Sequence, residues 1–340
     1  MPSMRLSAFA KVNLSLRVLA RETTGYHQIE TLFCRIDLAD DVTIHTRDDG
    51  ARTVVCRNAD LGAPEKNLAW RAAAAYGARH GWPSGFEIEI DKRIPVGGGL
   101  GGGSADAAAV LRALNAMNPE PLSPNALLEV AVSLGADVPF LASDVPLALA
   151  WGRGERMLAL PALPERDLSL VLPPFGVATG EAYQWLAEAR AAAAAEAGGA
   201  AAGDASDSEA GDGGDSDGGD GGGGGDGSDG DGTDARRASL HAPGPVLHPF
   251  SAVTSWEGVS RIATNDFEPV VFAQRPELGA IHEKLAAIPG VAVARMSGSG
   301  STMFALFDEP AELRVVAQAT GCRVIAARTL SHVVPHLLLE

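Results

Sequence analysis

Six glycines in the seven positions Gly97-Gly98-Gly99-Leu100-Gly101-Gly102-Gly103 lie between a strand pattern and a helix pattern, and they constrain this chain more than any other stretch. Upstream, Phe86-Glu87-Ile88-Glu89-Ile90 alternates apolar and acidic residues, the period of a half-buried strand. Downstream, Ser104 to Leu114 is rich in strong helix formers, with Ser104 placed to cap them. Glycine turns with positive φ and leaves no Cβ between backbone and ligand. A strand, a glycine loop and a helix in that order present bare N–H groups at the positive end of a helix dipole. That is a place for an anion, and above all for a phosphate.

Two familiar phosphate loops fit less well. A P-loop requires a lysine before the final serine, and Gly103-Ser104 has none. A dinucleotide fingerprint is matched in form by Gly97-x-Gly99-x-x-Gly102. Its acidic partner, expected roughly 20 positions on, is represented only by Glu120 in the loop Asn118-Pro119-Glu120-Pro121. A plain flexible linker does not suit glycines wedged between a strand and a helix.

The formal charge of −16 comes largely from one tract: Asp204 to Asp234 holds ten aspartates and one glutamate, and setting those eleven aside takes −16 to −5. With no basic stripe, duplex nucleic acid is not an expected partner. No apolar run approaches a membrane span, and Lys11 interrupts the apolar start, so neither a membrane nor a signal peptide is expected. Cys34, Cys56 and Cys322 are odd in number and widely spaced, which fits a reducing cytoplasm better than a disulfide framework or a zinc site. The segment from about 198 to 245 has little to bury and reads as a disordered insertion.

Residues 4–18 read as one or two strands, in which Lys11 is either a solvated strand lysine or a functional cation. Thr24-Gly25-Tyr26-His27 is a turn with two rings, either core packing or a platform for a flat heterocycle. Arg35–Leu38 and Asp41–Ile44 read as strands joined by a polar turn, and a helix is expected from Asn67. Ser123-Pro124 opens another helix that Gly135 terminates. Pro139 then places Asp137 in a stiff non-helical corner, where it either caps a turn or does chemistry. Pro173–Thr179 reads as a hinge, Glu181–Ala197 and His282–Ala287 as helices, and Ser297-Gly298-Ser299-Gly300 as a second candidate anion turn between strands.

Taken together, Pro95–Ser104 with Ala105-Asp106-Ala107-Ala108 resembles the phosphate loop of the GHMP kinases (galacto-, homoserine, mevalonate and phosphomevalonate kinases). Ala8-Phe9-Ala10-Lys11-Val12-Asn13-Leu14, Gly25-Tyr26-His27, Leu134–Pro139, Asn265-Asp266-Phe267-Glu268 and Ser297–Gly300 complete the likeness in the family's order. The resemblance covers nearly the whole chain except about 187–248. Within the family it is closest to members whose acceptor is a cytidine diphosphate derivative of methylerythritol.

The resemblance implies an α+β fold of two halves. The first, 1–165, would be ribosomal protein S5 domain 2-like and hold ATP; the second, 166–340, would be ferredoxin-like and carry the insertion. It implies transfer of the ATP γ-phosphoryl to the acceptor's 2-hydroxyl, a step of the non-mevalonate isoprenoid route, in a cytoplasmic monomer or weak homodimer. Lys11 and Asp137 would be the catalytic pair. Pro95, Val96, Gly97, Gly98, Gly99, Leu100, Gly101, Gly102, Gly103 and Ser104 would cradle ATP, with Asn67 and Lys92 toward adenosine and Mg²⁺ bridging phosphates. Asn13 would orient the polyol, and Tyr26, His27 and Tyr183 would hold the cytosine. Thr179, Ser297, Gly298, Ser299 and Gly300 would complete the substrate side. Ala105 stands where the family often has a second serine, and the acidic insertion is not part of its pattern. Another small-molecule kinase of the family, or a non-catalytic nucleotide-binding regulator on the same fold, are the competing readings. Lys11 and Asp137 together argue against the regulator, and Gly25-Tyr26-His27 argues against the other kinases.

If the insertion is dispensable, replacing 198–245 by a short Gly-Ser bridge is expected to leave Tm and kcat near the parent, because loop-closure entropy grows only logarithmically with length. Lost activity, or amides in the tract protected from exchange, would make it an ordered part of the substrate half.

Overall fold

The protein is described by a computed structural model covering residues 2–22, 27–204, 248–309, 312–333 and 338–339. Tyr26 and most of the acidic insertion lie outside the described residues.

Two long antiparallel strands, β1 (Ser3–Arg21) and β2 (His27–Arg47), form the spine of a seven-stranded sheet. On β1 the even positions from Met4 to Val18 are all buried, which is the period-two signature of a strand with one face on a core. Buried residues interrupt the opposite face at Lys11 and Asn13. The expected turn at Ala39-Asp40 is absent: β2 runs straight through, pairing with β5 (Leu147–Gly152) by its first half and β4 (Gly85–Asp91) by its second. Asp40 looks like a turn residue in sequence, yet it is buried because its Oδ1 accepts the N–H groups of Arg93 and Ile94 and its Oδ2 accepts from Lys92. The strands β3 (Arg52–Cys56), β6 (Arg156–Ala159) and β11 (Leu338–Leu339) complete this sheet.

Helices cover one face. Helix α1 (Leu68–His80) buries Ala69, Ala72, Ala73 and Tyr76 at helical spacing and is capped by Asn67, whose Oδ1 accepts from the Ala69 N–H at 2.8 Å. Helix α2 (Gly102–Met117) is buried on nearly every side from Ala105 to Leu111, the pattern of a helix packed centrally. It starts two residues before Ser104, on Gly101 in the left-handed region at φ 73°, with no side-chain cap. The serine expected as the cap is therefore inside the first turn, and the uncapped N–H groups are left open. Helix α3 (Pro124–Val132) is capped by Ser123, and the five-residue α4 (Val138–Ala142) follows. Pro139 sits in the first turn of α4 and so starts a helix where a non-helical corner was expected; Asp137 is the helix's first flanking residue, in αR conformation.

The second sheet is antiparallel, in the order β10-β7-β9-β8, with β7 Asp167–Leu172, β8 Val291–Met296, β9 Met303–Phe307 and β10 Arg323–Arg328. Helix α5 (Thr179–Asp204) runs further than the expected 181–197, into the start of the predicted insertion. After it come α6 (Ser251–Thr254), α7 (Trp256–Ile262), α8 (Glu268–Gln274), α9 (Pro276–Ala286) and α10 (Leu313–Thr320). Among the described residues no helix is long and apolar enough to cross a membrane.

Candidate active site

A cleft of about 1500 Å³ opens between the glycine loop, the Lys11 stretch of β1, the start of α4 and the first turns of α5. One side of it is the glycine loop. Gly97, Gly99 and Gly101 adopt φ of 74°, 75° and 73°, alternating with residues of negative φ, so that successive N–H groups line a concavity. Gly99 makes the closest approach: a Cβ there would meet the Ser297 carbonyl oxygen at 2.1 Å. Leu100 is buried and pins the loop's middle, and its carbonyl accepts the Lys11 backbone N–H at 3.0 Å.

The first three residues of α2, Gly102, Gly103 and Ser104, line the cleft with Pro95 and Val96. Asn67 also lines it; its carbonyl oxygen is taken by the helix cap, which leaves the Nδ2 donors for a nucleotide. The Lys92 ammonium lies beneath the loop, 2.5 Å from Asp40 and 2.9 Å from Asp106, with its side chain 6% exposed. Burial alone would lower this ammonium's pKa, but Asp106 and Asp40 reverse the sign and raise it. Asp106 moves up as well, through burial first and the nearby Asp40 carboxylate, against the pull of Lys92. Its Oδ1 is buried without a hydrogen-bond partner, at the wall of the cleft.

Lys11 and Asp137, far apart in sequence, meet at the centre. Lys11 Nζ lies 3.5 Å from Asp137 Oδ2, 2.7 Å from Asn13 Oδ1 and 3.0 Å from the Gly99 carbonyl. It also sits over the Phe33 ring at 5.6 Å. Lys11 is buried, while the Asp137 side chain is 27% exposed and makes no cap hydrogen bond, so its carboxylate faces the cleft. The alternative reading of Asp137 as a simple cap does not hold. Asn13 is anchored on both sides, since its Nδ2 donates to Thr31 Oγ1 at 2.8 Å and Thr31 donates on to the Ser15 carbonyl. One Nδ2 proton remains for an acceptor hydroxyl. Thr31 carried no sequence signal for this role beyond its place on β2.

At the other end, the His27 and Tyr183 rings stack on one another at 4.6 Å between centroids, and Phe267 meets Tyr183 edge-on at 4.9 Å. Burial and the charge of Asp137 push the Tyr183 phenol up to about 12, so it stays a neutral ring at any ordinary pH. Rings this close occupy one another's facing surfaces.

Of the second glycine turn, Gly298 and Ser299 line the cleft, and Ser299 shares a hydrogen bond of 2.9 Å with Thr179. Ser297 and Gly300 do not line the cleft. Ser297 is fully buried and donates its hydroxyl to the Gly99 carbonyl at 2.9 Å, and its own carbonyl accepts the Gly300 N–H. The two glycine turns thus clasp each other. Asn265 supports the clasp by donating Nδ2 to the Met296 and Gly298 carbonyls at 2.7 and 2.8 Å. In the sequence Asn265 is marked only as the start of the run Asn265-Asp266-Phe267-Glu268.

Two family descriptions match this chain: the GHMP kinases N terminal domain over residues 67–149 and the GHMP kinases C terminal domain over 250–323. A 4-diphosphocytidyl-2-C-methyl-D-erythritol kinase of Geobacter metallireducens is 36% identical over 97% of this chain and 100% of its own length. A like-named kinase of Geobacter sulfurreducens is 34% identical over 91% of each chain. A crystal structure of 4-(cytidine 5'-diphospho)-2C-methyl-D-erythritol kinase superposes with a TM-score of 0.66 at 32% identity, covering 96% of this chain and 99% of that one. A homoserine kinase from Cytophaga hutchinsonii shares the fold at a TM-score of 0.61 and 17% identity, covering 99% of this chain and 97% of that one. The chain belongs to the GHMP kinases, in the family of the 4-diphosphocytidyl-2-C-methyl-D-erythritol kinases.

Proposed function

We propose that this chain transfers the γ-phosphoryl group of ATP to the 2-hydroxyl of 4-diphosphocytidyl-2-C-methyl-D-erythritol, in the non-mevalonate route to isoprenoid precursors. The observation that carries the mechanism is the Lys11–Asp137 pair at 3.5 Å, set between the glycine loop and the ring face of His27 and Tyr183. Asp137 takes the proton of the acceptor hydroxyl as its oxygen bonds to the γ-phosphorus, and the phosphorus–oxygen bond to the β-phosphate breaks with its electron pair leaving on ADP. Lys11 offsets negative charge on the attacking oxygen. Its three oxygen neighbours prevent it from swinging away. The loop N–H groups and the dipole of α2 hold the phosphates, so most of the rate comes from positioning and charge stabilisation.

Among the described residues no cluster of three or more His, Cys, Asp or Glu side chains is placed to hold a metal. A protein-built cage therefore does not fit, but a Mg²⁺ carried by ATP phosphates with one carboxylate does. Asp106, through its unpartnered Oδ1, is the residue that would hold it. When bound, the ion neutralises charge on the phosphate oxygens.

ATP turnover with the cytidyl acceptor beside homoserine and mevalonate tests the reaction; turnover with either of the latter, and none with the former, would refute it. The cytosine site has its own test. His27→Ala is expected to raise KM for the cytidyl acceptor about tenfold, the factor that about 1.4 kcal/mol of lost ring contact supplies, with KM for ATP little changed. Equal rises for both substrates would place the ring elsewhere.

A further inference from the structure

Arg35 is a deeply buried charge that the mechanism above leaves unused. It lies on β2 at 1% exposure, and no ion pair among the described residues involves it. The nearest charges, Arg112 and Asp144, pair with each other at 2.6 Å. Burial first, and then the Arg112 charge, pull its guanidinium down to about 9, which leaves it a cation at neutral pH. A cation in such a place is costly, and an apolar side chain of similar volume would pack at less cost.

Its donors show what it is doing there. Arg35 Nη2 donates to the carbonyls of Phe140 at 2.8 Å and Ser143 at 3.0 Å, and Nη1 donates to that of Leu141 at 3.2 Å. These are the terminal carbonyls of α4, the end of a helix where a cation is electrostatically favoured. The guanidinium also lies over the Phe140 ring at 5.0 Å, and Phe140 stacks on Phe33, the ring beneath Lys11. Because α4 is only five residues long, holding its last turn also fixes its first residue's neighbour, Asp137. The Leu141 N–H bonds directly back to the Asp137 carbonyl at 3.1 Å.

We infer that Arg35 is a positioning residue for catalysis: its fork clamps the C-terminal carbonyls of α4 and so sets the Asp137 carboxylate against Lys11. This rests on Asp137 being the base. Its planar fork is what reaches three carbonyls at once, a geometry that a lysine does not reproduce.

The test is steady-state kinetics on Arg35→Lys, which keeps the charge, and Arg35→Met, which keeps only the length, with each rate corrected for the folded fraction by a thermal melt. Displacing the base by a fraction of an ångström is expected to lower kcat roughly tenfold in the lysine variant and about 100-fold in the methionine variant, with KM for ATP within about twofold. If Arg35→Met does not fold, Arg35→Lys decides alone. Parental kcat in Arg35→Lys overturns the inference, as does a rise in KM for ATP that accounts for the whole loss. In an Asp137→Asn background, Arg35→Lys is expected to cost nothing further, because the two act through one group. A second full loss in that background means that Arg35 acts through something else. Parental kcat in Asp137→Asn by itself would overturn the base reading and this one together; parental kcat in Arg35→Lys beside a crippled Asp137→Asn overturns this one alone.

Discussion

Asp137→Asn is expected to lower kcat by about 10³-fold while leaving the Kd for ATP within about twofold of the parent. The two halves of this expectation come from different parts of the cleft. The asparagine keeps the shape of the side chain and cannot accept the acceptor's proton at neutral pH. It also leaves the buried Lys11 ammonium, 3.5 Å away, without its carboxylate. On the proposed mechanism nucleotide affinity does not depend on either group, since the phosphates would be held by backbone N–H groups of the glycine loop and α2, which line the cleft. Equilibrium titration with ATP and single-turnover kinetics on the same sample separate the two. A variant that turns over within tenfold of the parent would remove Asp137 as the base. One that loses ATP binding as well would mean that the Lys11–Asp137 pair holds the loop rather than the acceptor.

The glycine loop was legible in the sequence because its cause is local: positive φ at alternate positions needs glycine, and a strand before and a helix after can be read from residue periods. What required the structure was mostly long-range hydrogen bonding. The resemblance points Lys92 toward adenosine, and only the fold brings Asp40 and Asp106 to it from another strand and the next helix. Ala39-Asp40 reads as a turn because a carboxylate between two strand patterns is ordinarily solvated, whereas Asp40 is buried by three donors from the segment after β4. Asp137 was legible as a residue of interest but not in its conformation, since Pro139 is as compatible with a helix's first turn as with a corner. Arg35 had no local mark at all. Its neighbours alternate like any strand, and an arginine there reads as solvent-facing until the α4 carbonyls are placed around it.

The clasp between the two glycine turns gives the second large expected effect. Gly99→Ala is expected to destabilise the fold by about 2–5 kcal/mol and to raise KM for ATP, whereas Gly97→Ala is expected to cost only about 1–2 kcal/mol. Both glycines have nearly the same backbone conformation, at φ 75° and 74°, so the conformational part of the cost is common to the pair. They differ in what a methyl group meets. At Gly97 there is nothing within 4 Å, while at Gly99 the new Cβ lies 2.1 Å from the Ser297 carbonyl oxygen and 3.3 Å from that of Gly300. Both of those contacts are backbone, which cannot swing aside as a side chain would. To make room, the Ser297 turn must back away, and this breaks the hydrogen bond from the Ser297 hydroxyl to the Gly99 carbonyl. That carbonyl also accepts from Lys11 Nζ, so the disturbance reaches Lys11 directly. Loss of the second turn's support should therefore appear in kcat as well as in Tm for Gly99→Ala, and in neither to a comparable degree for Gly97→Ala. Melting curves and ATP kinetics on the two variants side by side make the comparison. Equal effects would show that the loop requires glycine at Gly99 for its φ alone, and that contact between the turns contributes nothing to holding the phosphate cradle.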